Sequence, residues 1–312
     1  MKKVVTVTLG SSQQDFEFKT RFLGQDFSVR RMGADMDTVK AWELMRRQQA
    51  FADAIGAGEI SDHYQVGLRT ITNKETERLT NVVTRVPVTT GATLRRLLQV
   101  RAVRHVQHAL GNYFNNNLVL FLSGMRNYDM AVAMSDYTKN LSFADAVLQT
   151  GAPTLLTSLE QLELYARGSK FMLGSKPGQL PETALSGSKN TRVAAAVAKS
   201  HVIVGTFAEI KAVATRTNLE GKTLITSAVD DERLEFFKKH KVNLAIDVSP
   251  KLFDRVVGIN TIEAMILAVL GKPTEEVSDD DFEEIINELD IQPRLLHPTG
   301  SFRNIRRFAF VI

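Results

Sequence analysis

Short apolar segments alternate with helical segments through the second half of the chain, and this alternation constrains the fold more than any other feature. The segment Leu118–Leu122 (LVLFL) is a continuous apolar run, which is typical of a strand buried on both faces of a parallel sheet. Further strands are predicted at residues 201–204, 223–226 and 243–246, with helices between them. The alternation predicts βαβ units and a doubly wound parallel sheet.

The first half of the chain predicts a second, strand-rich α/β unit. Lys3–Leu9 (KVVTVTL) alternates β-branched residues, and the next alternating segments predict a hairpin. A helix predicted after Asp37 has Val39 and Trp42 on its apolar side. We expect an N-terminal α/β domain with a connector helix at residues 1–112 and a Rossmann-like domain at 113–312, which agrees with a length of 312 residues.

Composition excludes several classes of function. The sequence has no cysteine, which removes disulfides, thiol nucleophiles and thiolate metal sites. The net charge of +4 is too small by itself to indicate nucleic-acid binding. No apolar run approaches the roughly 20 residues that span a bilayer, and the start of the chain lacks the apolar region of a secretory signal. We therefore expect a cytoplasmic protein without a membrane partner.

Candidate ligand-binding residues follow the predicted strands, because ligands bind at the carboxyl ends of parallel strands. Gly124 follows the LVLFL strand and leads into a helix, whose free N–H groups suit a phosphate. Asp145 comes 21 residues later, near the spacing at which an acidic residue holds ribose hydroxyls, and it favours NAD over NADP. The full glycine motif is absent, so another phosphorylated ligand, or none, stays open. The predicted cofactor-binding residues are Ser123, Gly124, Arg126, Asp145, Thr206, Ser227 and Asn260.

Polar residues after the strands of the first half predict the other wall of a cleft. The predicted substrate-binding residues are Ser11, Ser12, Gly58 and Gly91. Oxidation of an alcohol by hydride transfer needs a proton acceptor beside the carbinol. Lys74 and Asp62 are the predicted acid/base pair, with His63 as a further candidate, and a solvated surface role stays open for each.

The long helix predicted at Thr93–Leu110 carries a run of basic residues. Its arginines are Arg95, Arg96, Arg101 and Arg104. No aromatic residues are interleaved with them for base stacking, so a solvated connector helix is favoured over a nucleic-acid surface. His105 and His108 lie one turn apart without a His-Glu-x-x-His pattern, and no metal site is predicted.

Segments along most of the chain carry a family resemblance. Val4–Ser12 (VVTVTLGSS), Leu219–Ser227 (LEGKTLITS) and Leu244–Gly271 together resemble a bacterial family labelled quinate 5-dehydrogenase. The resemblance implies a two-domain α/β protein that oxidises a polyhydroxylated cyclohexane carboxylate with NAD or NADP. The Asn-x-Thr-x-Pro-x-Lys element of shikimate dehydrogenases is missing around Asn73, so the resemblance transfers no catalytic lysine.

Two main hypotheses follow from these observations. The first is an NAD(P)-dependent oxidoreductase of the quinate or shikimate dehydrogenase type, with NAD or NADP as its cofactor. The alternative is a non-catalytic metabolite-binding or regulatory protein that uses the same cleft between the domains. Under both hypotheses the expected partner is a small molecule and not nucleic acid, and a homo-oligomer stays open.

Overall fold

The computed structural model describes residues 1–60, 64–71, 73–173, 188–272 and 274–300. Within these ranges the chain forms a five-stranded sheet, a six-stranded sheet and a separate two-stranded hairpin, with helices packed on both larger sheets. The predicted α/β fold class, with two parallel-sheet units, is confirmed.

Strands and helices follow one another along the described part of the chain. The strands are β1 (Lys2–Thr8), β2 (Phe16–Phe22), β3 (Gln25–Gly33), β4 (Ala54–Gly58), β5 (Tyr64–Val66), β6 (Arg69–Ile71), β7 (Val88–Thr89), β8 (Val119–Phe121), β9 (Leu141–Phe143), β10 (Val202–Val204), β11 (Thr223–Thr226), β12 (Leu244–Asp247) and β13 (Arg294–Leu296). The helices are α1 (Thr38–Gln48), α2 (Lys74–Thr80), α3 (Ala92–Ala109), α4 (Tyr128–Ser135), α5 (Asp145–Thr150), α6 (Leu159–Leu173), α7 (Ser188–Lys199), α8 (Phe207–Ala214), α9 (Asp231–Lys239), α10 (Ile259–Leu270) and α11 (Asp279–Glu288).

The first sheet has the strand order β2-β3-β1-β4-β7. The pairs β3-β1, β1-β4 and β4-β7 are parallel, and the predicted hairpin adds β2 antiparallel to β3 at one edge. Both faces are covered. Val5 and Val7 pack toward α1 and α2, whereas Val4 packs toward α3 and α10 on the other face. The β-branched residues of β1 are therefore buried in the cores on both faces of the sheet, because successive side chains of a strand point to opposite faces.

The second sheet has the order β13-β12-β11-β10-β8-β9, with β13 antiparallel at the edge. Its parallel strands follow the doubly wound order 2-1-3-4-5, in which the direction of winding reverses between β8 and β10. Val119 and Phe121 pack toward α3 and α4, and Leu120 packs toward the helices on the opposite face. The continuous apolar run therefore forms a strand that is buried on both faces of the sheet, as predicted.

Helix α10 lies beyond the predicted domain boundary near residue 112, yet it packs on the first sheet. Its residues Ile262, Met265 and Ile266 are buried in one core with Val4 and Phe27. The chain thus returns to the first sheet after it has completed the parallel part of the second. The domain limits 1–112 and 113–312 stay a prediction.

The β5–β6 hairpin links the two units. It leaves the first sheet after β4, and its residues Val66 and Ile71 are buried in the core of the second sheet. At its turn lies Gly67, near Tyr128, whose hydroxyl donates to the carboxylate of Glu163 at 2.6 Å. Burial, and then the hydrogen bond to Glu163, raise the pKa of Tyr128.

Some predictions concern segments at the limits of the described ranges. The Gly, Ser and Pro residues of Gly168–Ser188 predict a loop, but its first residues are helical, since α6 extends to Leu173. Residues 174–187 lie outside the described residues. The sequence also predicts an edge strand at Phe308–Ile312, which lies outside them too. Among the described helices, none combines the length and the apolar character that a bilayer crossing needs.

Candidate functional site

The loop predicted to bind a dinucleotide phosphate is closed by a side chain of the same chain. One carboxylate oxygen of Asp145 accepts a hydrogen bond from the Gly124 amide at 2.7 Å, and the other accepts from the Met125 amide at 3.1 Å. Asp145 is only 1% exposed. The amides that a pyrophosphate would need are therefore already occupied.

The Asp145 carboxylate is buried against the loop that follows β8. Burial raises the pKa of Asp145 to about 6, while the Met125 and Gly124 amides lower it. A Cβ atom at Gly124 would lie 2.9 Å from the carboxylate and 2.4 Å from the ring of Phe143. The glycine thus allows the loop to pack on Asp145 and Phe143, and its role is structural.

Ser123 and Thr206 both contact Glu209 where the winding of the second sheet reverses. Thr206 is the N-cap of α8, and its backbone amide donates to Glu209 Oε2 at 2.7 Å in a capping box. The other carboxylate oxygen of Glu209 accepts from the Ser123 hydroxyl. Glu209 thereby joins the two loops at the position where ligands bind in many doubly wound sheets. Arg126 lies nearby, partly buried, and pairs with none of the described residues.

Ser227 lies further along the same edge, and its backbone is hydrogen-bonded to the helix that follows it. Its carbonyl oxygen accepts from the guanidinium of Arg233 at 3.1 Å. The neighbouring Asp247 is fully buried, forms an ion pair with Arg294 and accepts from the Ser249 amide at 2.9 Å. The polar groups at the carboxyl edge of the second sheet are thus largely paired with one another.

Asn260 lies beside Gly58 and Gly91, which the sequence assigned to the opposite wall of the cleft. A Cβ atom at Gly91 would lie 2.6 Å from the backbone nitrogen of Asn260, and one at Gly58 would lie 2.9 Å from its Nδ2. The glycines let the start of α10 approach the ends of β4 and β7. Asn260 Nδ2 is buried and has no hydrogen-bond partner among the described residues.

Of the remaining predicted residues, Ser11, Ser12 and Lys74 lie near the carboxyl edge of the first sheet. The Ser11 hydroxyl accepts from the Gln13 amide at 3.2 Å, and the Ser12 amide donates to Asp35 at 2.7 Å, so both stabilise the turn after β1. Lys74 is exposed at the first residue of α2. Asp62 lies outside the described residues, so its pairing with Lys74 stays a prediction.

A pocket of about 480 Å³ opens at this edge, between α1 and α2, and we call it the Trp42 pocket. Ligand pockets are commonly lined by apolar side chains with a few polar groups and have volumes of roughly 300–1,000 Å³. The apolar lining residues are Leu9, Met36, Val39, Trp42, Ile60 and Leu79. The polar lining residues are Thr38, Glu59, Asn73, Glu75, Thr76 and Arg78.

Two lining residues have a left-handed backbone conformation that side chains rarely adopt. Met36, which follows β3, has a φ of 64°, and Glu59, which follows β4, has a φ of 51°. Asp35, directly before Met36, has a φ of 55°. Such conformations cost of order 1–3 kcal/mol each at residues other than glycine, and they are frequent at ligand-binding sites. The unfavourable backbone conformations thus occur where β3 and β4 end beside the pocket.

The rim of the Trp42 pocket carries charges of both signs. The side chains of Glu75 and Arg78 take no hydrogen bond or ion pair with the described residues, and both are exposed. Glu59 lies 3.5 Å from the guanidinium of Arg31. Trp42 is 40% exposed, with the guanidinium of Arg46 at 5.4 Å from its ring centroid. The pocket therefore combines an accessible aromatic side chain with two charged side chains, Glu75 and Arg78, that pair with none of the described residues.

Sequence reasoning missed this pocket because it treated α1 as having one apolar side. Ala41 and Met45 are the residues of α1 that are buried in the core, whereas Val39 and Trp42 are exposed. Two separate apolar faces on one short helix were the signal that could have indicated a ligand site.

Two family models together match most of the chain. A model described as Domain of unknown function (DUF8754) matches residues 93–298, and one described as Domain of unknown function (DUF8753) matches residues 3–90. No curated protein matches the chain.

Several solved structures have a limited likeness to this chain. A glucose-galactose binding protein, GanP from Geobacillus stearothermophilus, is 9% identical over 96% of this chain and 98% of its own, with a TM-score of 0.42. A Mycobacterium smegmatis protein in complex with β-D-fucofuranose is 10% identical over 95% of this chain and 99% of its own, with a TM-score of 0.39. An ABC transporter periplasmic solute binding protein from Actinobacillus succinogenes with bound D-allose is 10% identical over 96% of this chain and 98% of its own, with a TM-score of 0.37. At these values the bound sugars are properties of those proteins alone.

The resemblance to quinate 5-dehydrogenase is therefore wrong. The matching family models are two domains of unknown function, and neither is described as a quinate dehydrogenase. The amides of Gly124 and Met125 are also occupied by Asp145, so the expected cofactor loop is closed. The assignments of NAD or NADP as cofactor and of hydride transfer as the reaction are corrected accordingly. Short strand-and-turn segments such as Val4–Ser12 recur in many α/β folds, which explains the misleading likeness.

Proposed function

The chain belongs to the DUF8754 family, and we propose that it binds a small amphipathic molecule in the Trp42 pocket. This is the non-catalytic metabolite-binding alternative, with the site moved from the cleft between the domains to the carboxyl edge of the first sheet. The observation that carries the proposal is the left-handed backbone of Met36 and Glu59 at the rim of a 480 Å³ pocket. That conformational cost is compensated elsewhere in the fold and supports a functional role for the two loops.

The lining of the pocket defines the class of ligand. The apolar side chains, with Trp42 among them, favour a molecule that has an apolar or ring-shaped face. The carboxylate of Glu75 and the guanidinium of Arg78, which pair with none of the described residues, favour polar groups at its other end. Because the rim carries charges of both signs, we expect a neutral or zwitterionic ligand to bind more tightly than a strongly charged one.

Trp42 offers a direct test because it is the only tryptophan in the sequence. Changes in tryptophan emission therefore report this pocket. The purified chain would be titrated with D-galactose as a neutral sugar, L-leucine and L-phenylalanine as amphipathic zwitterions, and citrate as a polyanion. We expect a saturable change in emission with a neutral or zwitterionic compound and none with citrate. A parallel rise in the melting temperature would confirm that the compound binds the folded state.

Three variants separate pocket binding from a general solvent effect. Val39→Phe places a larger side chain at an exposed position of the lining and should block the emission change. Arg78→Ala should weaken binding about tenfold, since a charge-assisted hydrogen bond contributes roughly 1.5–3 kcal/mol. Arg85→Ala removes an equally exposed arginine outside the lining and serves as the control. Equal responses from Arg78→Ala and Arg85→Ala would show that the rim does not contact the ligand.

A further inference from the structure

A second and larger groove, of about 880 Å³, lies between α3 and α11, and we call it the α3 groove. Five basic residues of α3 line it: Arg96 near its start and, further along the helix, the four residues Arg101, Arg104, His105 and His108. Their spacing of i, i+3, i+4 and i+7 places them on one face of the helix. The sequence had suggested a solvated helix for these residues, whereas the fold gathers them along one wall.

Some N–H groups of the α3 arginines have no acceptor among the described residues. Arg96, near the start of α3, forms an ion pair with Asp279 of α11. Arg101 donates from Nη1 to Asn287 Oδ1 at 2.7 Å, but its Nε is buried and has no acceptor among the described residues. Arg104 is exposed, and no described side chain pairs with its guanidinium. Among the described residues, the buried Nε of Arg101 and the exposed guanidinium of Arg104 therefore have no acceptor.

The helix dipole accounts for only part of this arrangement. Basic residues in the last turns of a helix interact favourably with its partial negative charge, which applies to His105 and His108. The dipole gives no reason for a buried Arg101 Nε without an acceptor, which costs free energy unless something accepts from it. The facing wall carries two acidic residues, Asp279 and Glu283, and Asp279 pairs with Arg96 near the start of α3.

We propose that the α3 groove binds a small, phosphate-rich anion, independently of the Trp42 pocket. Guanidinium groups present paired N–H donors that match phosphate oxygens, and Arg101 and Arg104 are one turn apart. No Phe, Tyr or Trp among the described residues lines the groove, so the site offers no platform for a nucleobase. The second wall formed by α11 suits a compact anion better than an extended strand of nucleic acid.

The test is a titration of the full chain with tripolyphosphate at low salt, followed by calorimetry. We expect saturable binding that weakens as the salt concentration rises. The double variant Arg101→Gln/Arg104→Gln should bind at least about tenfold more weakly, because two charge-assisted contacts are lost. The single variant Arg104→Gln changes only an exposed side chain, so it tests the site even if the double variant does not fold.

Matched controls decide between a built site and general attraction of anions. Arg85→Gln/Arg216→Gln removes the same amount of charge at exposed positions outside the groove. An equal loss of affinity in the two double variants would overturn the proposal, and so would the absence of saturable binding to the wild type. A single-stranded oligothymidylate that competes for the groove with higher affinity than tripolyphosphate would also overturn it, in favour of a nucleic-acid surface.

The two sites are distinguished by the emission of Trp42. Tripolyphosphate should bind without changing that emission, and Val39→Phe should leave its affinity unchanged. Loss of tripolyphosphate binding in Val39→Phe would show that the anion occupies the Trp42 pocket rather than the α3 groove.

Discussion

Asp145 combines burial with two backbone hydrogen bonds, and this combination makes stability depend on pH. Burial raises the folded-state pKa of Asp145 from 3.8 to about 6, which means that the folded protein holds this proton more tightly than the unfolded chain. A group of this kind stabilises the folded state fully below about pH 4, and its contribution is lost as the pH rises through about 6. The difference between the two pKa values corresponds to about 3 kcal/mol in the free energy of unfolding.

We expect Asp145→Asn to remove this pH dependence. Between about pH 4 and about pH 7, the free energy of unfolding of the wild type should fall by about 3 kcal/mol relative to that of the variant. Chemical denaturation at each pH measures both values. Asp136→Asn, at an exposed position of the same unit, is the control. If the difference between wild type and Asp145→Asn stays constant with pH, the carboxylate is not buried as described.

Two physical requirements, a positive φ and the lack of space for a Cβ atom, both apply at Gly91. Its φ of 80° disfavours any side chain, and a Cβ atom there would also meet the start of α10. Gly24 has a similar φ of 72°, but a Cβ atom there would meet nothing within 4 Å. The two positions therefore differ in steric contact while sharing the backbone conformation.

We expect Gly24→Ala to cost about 1 kcal/mol of stability and Gly91→Ala to cost at least about 2 kcal/mol more. The excess measures the collision with the backbone of Asn260. Thermal and chemical unfolding of both variants gives the comparison. Equal losses in the two variants would mean that α10 does not contact Gly91.

At the scale of elements, α10 is held to the first sheet by a buried carboxylate as well as by apolar packing. Glu263 is 4% exposed, accepts from the Leu94 amide at 2.7 Å and also accepts from the Thr89 hydroxyl. Leu94 lies in the first turn of α3, whose first residues have no side-chain cap of their own. One residue of α10 therefore satisfies a free amide of α3.

We expect Glu263→Ala to destabilise the protein by roughly 2–4 kcal/mol, because the Leu94 amide is left buried without an acceptor. Hydrogen exchange at the start of α3 should accelerate in the variant more than exchange in α8. Glu283→Ala, which changes an exposed residue of α11, should stay within about 0.5 kcal/mol of the wild type. Normal protection of the Leu94 amide in Glu263→Ala would rule out the capping role.

At the scale of the whole molecule, the two sheets share elements that sequence order would assign to one unit. Helices α10 and α11 cover the face of the first sheet that includes Val4 and Phe27, although they follow the parallel strands of the second. The β5–β6 hairpin crosses in the opposite direction and is buried against the second sheet. The core of the first sheet therefore includes residues from beyond residue 112, and the core of the second sheet includes residues from before it. The cytoplasmic location and the oligomeric state stay predictions.

We expect the fragment 1–112 not to fold cooperatively by itself, since it lacks the helix that buries Val4 and Phe27. Produced together, the fragments 1–112 and 113–312 should associate and recover a cooperative unfolding transition. Circular dichroism and size-exclusion chromatography measure both results. A cooperative transition in the isolated fragment 1–112 would support the predicted boundary as a true domain limit.

The sequence alone determined the local elements of this protein. The apolar run Leu118–Leu122 was enough to predict a strand buried on both faces, because such a strand needs apolar residues at every position. The alternation in Lys3–Leu9 and the polar residues after each strand likewise predicted β1 and the ends of the parallel strands. These features depend on contacts between neighbours in the chain, whose spacing the sequence specifies directly.

Only the tertiary structure decided what those residues contact. Asp145 stands at the spacing of a ribose-binding residue, yet its carboxylate accepts from Gly124 and Met125, because packing brings β9 beside the loop after β8. The Trp42 pocket likewise joins residues that follow β1, β3 and β4 with residues of two helices. Local periodicity specifies which face of an element is apolar, but the partner of that face depends on how distant elements dock.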